Sequence, residues 1–197
     1  VKGDDLLQID EPNQRITEVQ KREWANLGIE CSPFENVRYC YPYIQRSSTR
    51  NRCSDTALSD DELREQFSKR RAVNYVYTFD HDITKVDMLF ANVDDPNWTI
   101  ESILNYIETS SEFSGDMSWN QFKEKLQRNV EKGAFATRSN KDIPVQSWRR
   151  FSRLIRNTIE NDLFVDELSN NKELQHVHLS DVIQGISAGE VLVVDIA

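Results

Sequence analysis

The distribution of apolar residues near the end of the chain predicts a buried β-strand. Four apolar residues, Val191–Val194, follow a Gly-Glu pair without a polar interruption. A continuous run of this kind, rich in β-branched side chains, is typical of a strand that is covered on both faces within a parallel sheet. Such a strand needs hydrogen-bonding neighbours and packed helices. We therefore expect an α/β fold with a partial parallel sheet, and we expect the chain to be a piece of a larger protein.

The first 79 residues predict further elements of the same sheet. Capping-box spacing and a following glycine indicate a helix over 13–28, while β-branched and aromatic residues predict strands over 34–43 and 73–79. The polar segment 44–61, which is rich in Ser, Arg and Asn, predicts a mobile loop. Residues 1–79 are thus expected to form the N-terminal part of an α/β core.

Residues 80–166 have a different period, in which apolar side chains recur at the spacing of one helix face. Four such stripes follow one another and are joined by short polar segments, which is the pattern of a helical bundle. We expect Trp98, Trp119 and Trp148 to meet in the core of this bundle, because each buries a large apolar area. Residues 167–197 then return to the sheet, so the sequence predicts a helical bundle inserted into an α/β domain.

Composition narrows the classes of protein that fit. The chain has 24 Lys and Arg against 33 Asp and Glu, a net charge of -9, which excludes a global attraction to nucleic acid but leaves room for a local basic surface. Cys31, Cys40 and Cys53 are too widely spaced for a zinc knuckle, and we interpret them as free thiols of a reducing compartment. With no apolar run of bilayer length and no signal sequence, we expect a soluble, cytoplasmic protein without a membrane partner.

Short segments at both ends of the chain carry a family resemblance. They are residues 1–7 (VKGDDLL), 24–29 (WANLGI), 33–39 (PFENVRY), 179–183 (LSDVI) and 189–196 (GEVLVVDI). The first three resemble the segment after the P-loop helix of HerA-type ATPases in the HerA/FtsK superfamily. The last two are similar to the helix and strand that follow this family's inserted helical bundle.

This resemblance implies a P-loop ATPase fold of the RecA/FtsK type and the role of a hexameric, ATP-dependent DNA translocase or helicase. Members act with a nuclease in DNA end processing or with effector proteins in anti-phage defence, and they use ATP and Mg²⁺. The 197 residues contain no Gly-Lys-Ser/Thr phosphate loop and no strand that ends in an Asp-Glu pair. We expect both motifs in other parts of the parent protein, so this chain by itself is expected to bind no cofactor and to be catalytically incomplete.

The resemblance also implies site residues near the start of the chain. Lys2, Gly3 and Asp4 occupy positions that lie beside the nucleotide in many members, which would make Asp4 a catalytic residue near the attacking water or the metal. Members often have Glu where this chain has Asp4. The alternative is that Asp4 caps a helix at the end of a strand, a position that Asp favours.

Four arginines lie on the last predicted helix of the bundle. Arg149, Arg150, Arg153 and Arg156 fall roughly opposite its apolar stripe. They are candidates for contacts with DNA phosphates or, as an arginine finger, with the nucleotide of a neighbouring subunit. The alternative is a solvated helix face whose arginines pair with nearby acids.

Three functions are compatible with these patterns. The first is the central portion of a HerA-type DNA translocase, and the second is a non-catalytic helical interaction module that recruits a partner nuclease or effector. The third is an unrelated metal-dependent enzyme that uses Asp80, His81 and Asp82 as ligands. For the third, the alternative is that Asp82 is the N-cap of a helix.

Overall fold

The chain folds into two compact units. The computed structural model describes residues 9–12, 15–44, 59–90, 99–131, 143–171 and 175–195. One unit, called here the sheet unit, consists of residues 1–75 and 169–197, and the other, the helical unit, consists of residues 76–168. The sequence pattern predicted that the helical unit begins after residue 79 and ends at residue 166.

Most predicted elements are present with shorter bounds. The helix expected over 13–28 and the strands expected over 34–43 and 73–79 all form. The elements in chain order are α1 (Glu18–Asn26), β1 (Val37–Pro42), α2 (Asp60–Ser68), β2 (Ala72–Val76), α3 (Phe79–Asp82), a 3-10 helix (Ile83–Phe90), α4 (Thr99–Thr109), a short 3-10 helix (Ser111–Phe113), α5 (Trp119–Glu131), α6 (Val145–Ile159), β3 (His176–His178), α7 (Leu179–Gln184) and β4 (Val191–Val194). The loop predicted over 44–61 lies outside the described residues, apart from Ile44 and 59–61; its predicted end is too late, because residues 60 and 61 already belong to α2.

The four strands form one all-parallel sheet in the order β3-β2-β1-β4. In the register of β1, Tyr39 is opposite Ala72 on one side and Val193 on the other. Side chains of β1 form the centre of a small core with Leu63 of α2 and Ala72 of β2. The predicted α/β fold with a parallel sheet is therefore confirmed.

The position of β4 differs from the prediction. Its apolar run indicated a strand covered on both faces, yet among the described residues β4 lies at an edge of the sheet and has β1 as its strand neighbour. All four of its residues are only partly buried, although Val191 and Val193 pack against the core of the sheet unit. An apolar run shows that side chains tolerate burial, but it does not reveal how many strands flank it.

Helix α1 forms for local reasons. Thr17 and Gln20 make the predicted capping box, and Gly28 has the positive φ of 74° that a glycine after a helix end adopts at little cost. None of the residues of α1 is buried, and Val19 and Leu27 are 65% and 74% exposed. The apolar side of the predicted helix therefore exists but is not part of the core of the sheet unit.

The helical unit has its own aromatic core. Trp119 packs edge-on against Phe79 and Phe122, and Trp148 packs edge-on against Tyr106. Trp119 and Trp148 thus share one core, as predicted, while Trp98 lies outside the described residues.

The two ends of the helical unit are joined by backbone hydrogen bonds. The N–H of Tyr77 donates to the carbonyl oxygen of Leu163 over 2.7 Å, and the N–H of Val165 donates to the carbonyl oxygen of Tyr77 over 3.0 Å. The chain therefore enters and leaves this unit at adjacent positions.

Candidate functional site

Helix α6 has an apolar face, which is buried, and a charged face, which is exposed. Trp148, Phe151 and Ile155 are fully buried and recur at the spacing of one helix face. The helix begins directly after Pro144, whose fixed φ suits a helix start. Because the apolar stripe is held by the core, the opposite side of α6 faces solvent.

That opposite side carries the predicted arginines. Arg149, Arg153 and Arg156 are exposed and follow one another at spacings of four and three residues, while Arg150 is half-buried. Among the described residues, neither Arg149 nor Arg153 forms an ion pair. The structure thus presents three of the four predicted arginines together on one solvent-facing side of a helix.

A cleft of about 540 Å³ lies between α5 and α6. Its lining consists of polar and charged side chains, and Arg156 connects it to the arginine side of α6. The lining residues are Asn120, Lys123, Glu124, Gln127, Arg128, Arg156 and Glu160.

The ion pairs in this cleft are long and exposed. Arg128 Nη2 is 3.5 Å from Glu124 Oε2, and both side chains are more than half exposed. Arg156 Nε is 3.7 Å from Glu160 Oε1, and its Nη2 donates a long hydrogen bond of 3.4 Å to Gln127 Oε1. Exposed pairs of this geometry contribute little to stability, so the two guanidinium groups are available for exchange with another anion.

Positive charge is concentrated on this pair of helices. Together α5 and α6 contain seven Lys and Arg and two Glu, in a chain whose net charge is -9, and a further carboxylate, Glu160, follows α6 directly and lines the cleft. The chain therefore has a local basic surface although its overall charge is negative. The composition alone did not exclude such a surface.

The sequence did not predict the α5 side of this cleft. Lys123 and Gln127 are four residues apart on α5, on the flank next to the buried Phe122 and Leu126, so their shared face could be predicted from the sequence. The sequence pattern does not show that α5 packs against α6, and it is this packing that brings Lys123 and Gln127 next to Arg156.

The two aspartates of the predicted metal-ligand set, Asp80 and Asp82, make structural hydrogen bonds. The carboxylate of Asp80 accepts the N–H of Met117, and that of Asp82 accepts the N–H of Thr78 over 3.0 Å. The predicted N-cap role of Asp82 is wrong, because the N-cap of α3 is Thr78, four residues earlier, and the helix begins at Phe79, whose side chain belongs to the core. His81 Nδ1 lies 3.1 Å from Asp82 Oδ1.

A second polar network lies in the sheet unit. The carboxylate of Asp10 accepts a short hydrogen bond from the Tyr39 hydroxyl and pairs with Arg71 over 2.9 Å. Burial, reinforced by this carboxylate, raises the pKa of Tyr39 well above its usual range. Burial likewise raises the pKa of the Cys40 thiol to about 11, which keeps this free cysteine in its unreactive thiol form.

The remaining predicted site residues fall outside the described part of the chain. Lys2, Gly3 and Asp4 belong to the segment before residue 9. The proposed nucleotide-adjacent role of Asp4 therefore stays a prediction.

The fold and the basic helices define the class of this protein. It is an α/β protein with a four-stranded, all-parallel sheet, and its polypeptide chain forms a separate helical unit between β2 and β3. Within the described part of the chain, every helix is too short or too polar to cross a membrane. Neither the models of known protein families, nor the curated proteins, nor the solved structures give a match to this chain.

Proposed function

We propose that the chain is the central portion of a HerA-type, ATP-dependent hexameric DNA translocase that acts in DNA end processing or anti-phage defence. The observation that carries the proposal is the path of the chain. It leaves a parallel sheet after β2, builds a compact helical unit and returns to the same sheet at β3. This is the organisation that the sequence resemblance at both ends implies, with the sheet belonging to a P-loop ATPase core.

In this proposal, the chain and the rest of the parent protein supply different parts of the ATPase. The chain supplies part of the motor sheet and the helical unit. The phosphate-cradling loop and the Asp-Glu strand end that bind ATP and Mg²⁺ belong to other parts of the parent, since the 197 residues contain neither. Asp4 would complete the nucleotide site as a residue near the attacking water.

The arginine side of α6 is the proposed DNA contact. Arg149, Arg153 and Arg156 project from one side of a helix whose other face is fixed in the core, so little conformational entropy of the backbone is lost on binding. Guanidinium groups are well suited to phosphate oxygens, and such contacts position DNA without reading its sequence.

The test uses the parent protein. We expect ATP hydrolysis that DNA stimulates, and we expect the variant R149A/R153A to lose most of this stimulation while its DNA-independent hydrolysis is retained. The control is R64A/K69A, which removes the same number of positive charges from α2 and the residue directly after it; unlike Arg149 and Arg153, both of these residues are paired with a carboxylate three or four residues away. A parent protein whose ATP hydrolysis ignores DNA would refute the translocase proposal.

A second candidate is a helical interaction module that recruits a nuclease or effector. It is favoured by the separate core of the helical unit, which gives this part of the chain the character of a domain. Retention of a nuclease or effector by the immobilised chain, without any DNA-stimulated ATP hydrolysis in the parent, would favour this second function.

A further inference from the structure

We propose that the cleft between α5 and α6 is a phosphate-binding subsite that receives the phosphodiester backbone of a nucleic acid. Lys123, Arg128 and Arg156 supply the positive charge, and the side-chain amide of Gln127, which donates one hydrogen bond to Glu131 over 2.8 Å, carries a second N–H donor. The inference rests on the proposed function and extends it from one helix to a pair of helices. It assigns a binding role to α5.

The geometry makes the cleft continuous with the arginine side of α6. Arg156 lines the cleft and is also the last of the exposed arginines on α6, and Gln127 of α5 contacts its guanidinium group. With the rise of an α-helix, Arg149, Arg153 and Arg156 are separated by about 6 Å and about 4.5 Å along the axis. The result is a row of positive charges that begins on α6 and ends in the cleft.

The existing ion pairs do not block such a ligand. The pairs Arg128–Glu124 and Arg156–Glu160 are exposed and 3.5 and 3.7 Å long, so exchanging their carboxylates for phosphates costs little. Binding a polyanion also releases its condensed counterions, which favours the exchange at low salt. In the absence of nucleic acid, the two arginines are paired with these carboxylates.

A nucleic acid fits this surface better than an acidic polypeptide does. The positive charges follow one helix at short, nearly regular intervals, which suits an anion with evenly repeated charges. The lining residues other than the cations are amides and carboxylates, and none of the lining residues is an apolar or aromatic residue of the kind that anchors protein partners.

The first experiment measures the affinity of the 197-residue chain for labelled single-stranded and duplex oligonucleotides at increasing KCl. For K123A/R128A we expect a dissociation constant about tenfold higher at low salt, and a slope of log K against log salt that is smaller by about 2. The control R64A/K69A, with the same loss of charge in α2 and at its C-cap, should change neither value. If K123A/R128A and the control behave alike, the cleft is not a phosphate subsite.

Two further variants guard against a folding artefact. K123R/R128K keeps both charges and should retain the affinity and the salt slope of the unaltered chain. E124Q/E160Q removes the competing carboxylates and should bind nucleic acid several-fold more tightly, which a merely misfolded protein would not do. Weaker or unchanged binding by E124Q/E160Q would overturn the proposed exchange of carboxylate for phosphate.

A competition with polyglutamate decides between the two kinds of polyanion. If K123A/R128A loses affinity for polyglutamate but keeps its affinity for oligonucleotides, the occupant is an acidic polypeptide and the proposal is overturned. Loss of oligonucleotide binding supports it.

Failure of this inference is distinguishable from failure of the proposed function. If DNA stimulates ATP hydrolysis by the parent and K123A/R128A leaves that stimulation unchanged, the cleft is rejected and the translocase proposal stands. If the chain binds oligonucleotides through the cleft but DNA does not stimulate hydrolysis by the parent, the cleft stands and the translocase proposal is rejected.

Discussion

His176 lies in β3 with its ring edge-on to Tyr43, the two ring centres being 4.2 Å apart. Its Nδ1 accepts a hydrogen bond from the N–H of Ser169, so a proton on this nitrogen would break the bond. Burial lowers the pKa of His176 below its ordinary value of 6.5. The neutral imidazole is therefore the form that the sheet unit accommodates.

This environment predicts a pH-dependent stability. In the window below 6.5 and above the lowered pKa, the unfolded chain binds a proton that the folded chain does not, so the free energy of unfolding falls as the pH falls. Urea unfolding at pH about 7.5 and about 5.5 measures this loss. In H176Q the contribution disappears, and the variant should show a shallower pH dependence than the unaltered chain. An identical pH dependence in both proteins would contradict the account of His176.

The charged residues at this scale were only partly predictable. The arginines of α6 were recognised because an apolar stripe of helical period fixes which residues face away from it. The hydrogen bond between Tyr39 and Asp10 joins residues 29 positions apart, and no local pattern encodes such a contact.

At the scale of single elements, α1 and α2 form a matched pair. Both are nine-residue helices with a complete capping box, formed by Thr17 and Gln20 in α1 and by Ser59 and Glu62 in α2. They differ in burial, because α1 buries none of its residues whereas Leu63 of α2 is 3% exposed and belongs to the core.

The pair predicts different effects for the same kind of substitution. Loss of an N-cap costs a helix about 1 kcal/mol. In S59A this cost should appear in the free energy of global unfolding, because α2 is tied to the core. In T17A it should appear only as faster hydrogen exchange of the α1 amides, with the global value unchanged. Equal losses of global stability in both variants would show that α1 is coupled to the core after all.

The elements themselves were well predicted where local chemistry decides them. The capping box of α1 and the glycine after the helix depend only on residues close together in the sequence, and both are present. The edge position of β4 and the exposure of α1 were not predicted, because an apolar pattern identifies a face that tolerates burial without identifying what covers it. The start of α3 was missed because Phe79 belongs to a core that only the folded chain assembles.

At the scale of the whole molecule, the helical unit depends on a dense aromatic core. Phe151 is fully buried and packs against Phe90 and Trp148. F151A removes this ring and leaves a cavity, which we expect to cost about 3–5 kcal/mol. Hydrogen exchange of α5 and α6 amides would show the loss directly.

The control for this substitution is F34A. Phe34 is 58% exposed, so removing the same side chain from the surface should change stability by less than about 0.5 kcal/mol. If F151A is as mild as F34A, the core described for the helical unit does not stabilise it.

The insertion of a helical unit into a sheet was predicted from the change of apolar period, since that signal extends over many residues. The order of the strands was not, because parallel strands meet through contacts between distant parts of the chain. The cleft between α5 and α6 was missed for the same reason.

The joined ends of the helical unit have a consequence for folding. Strands β2 and β3 are neighbours in the sheet, although the first ends at Val76 and the second begins at His176. Closing so long a loop is entropically costly and slows a search for native contacts. Once Tyr77 has bonded to Leu163 and Val165, the segment still to be searched shrinks to the ten residues 166–175 before β3. If the helical unit folds first, it shortens the loop that must close before β2 and β3 can pair, and we therefore expect that its early folding would speed this strand pairing.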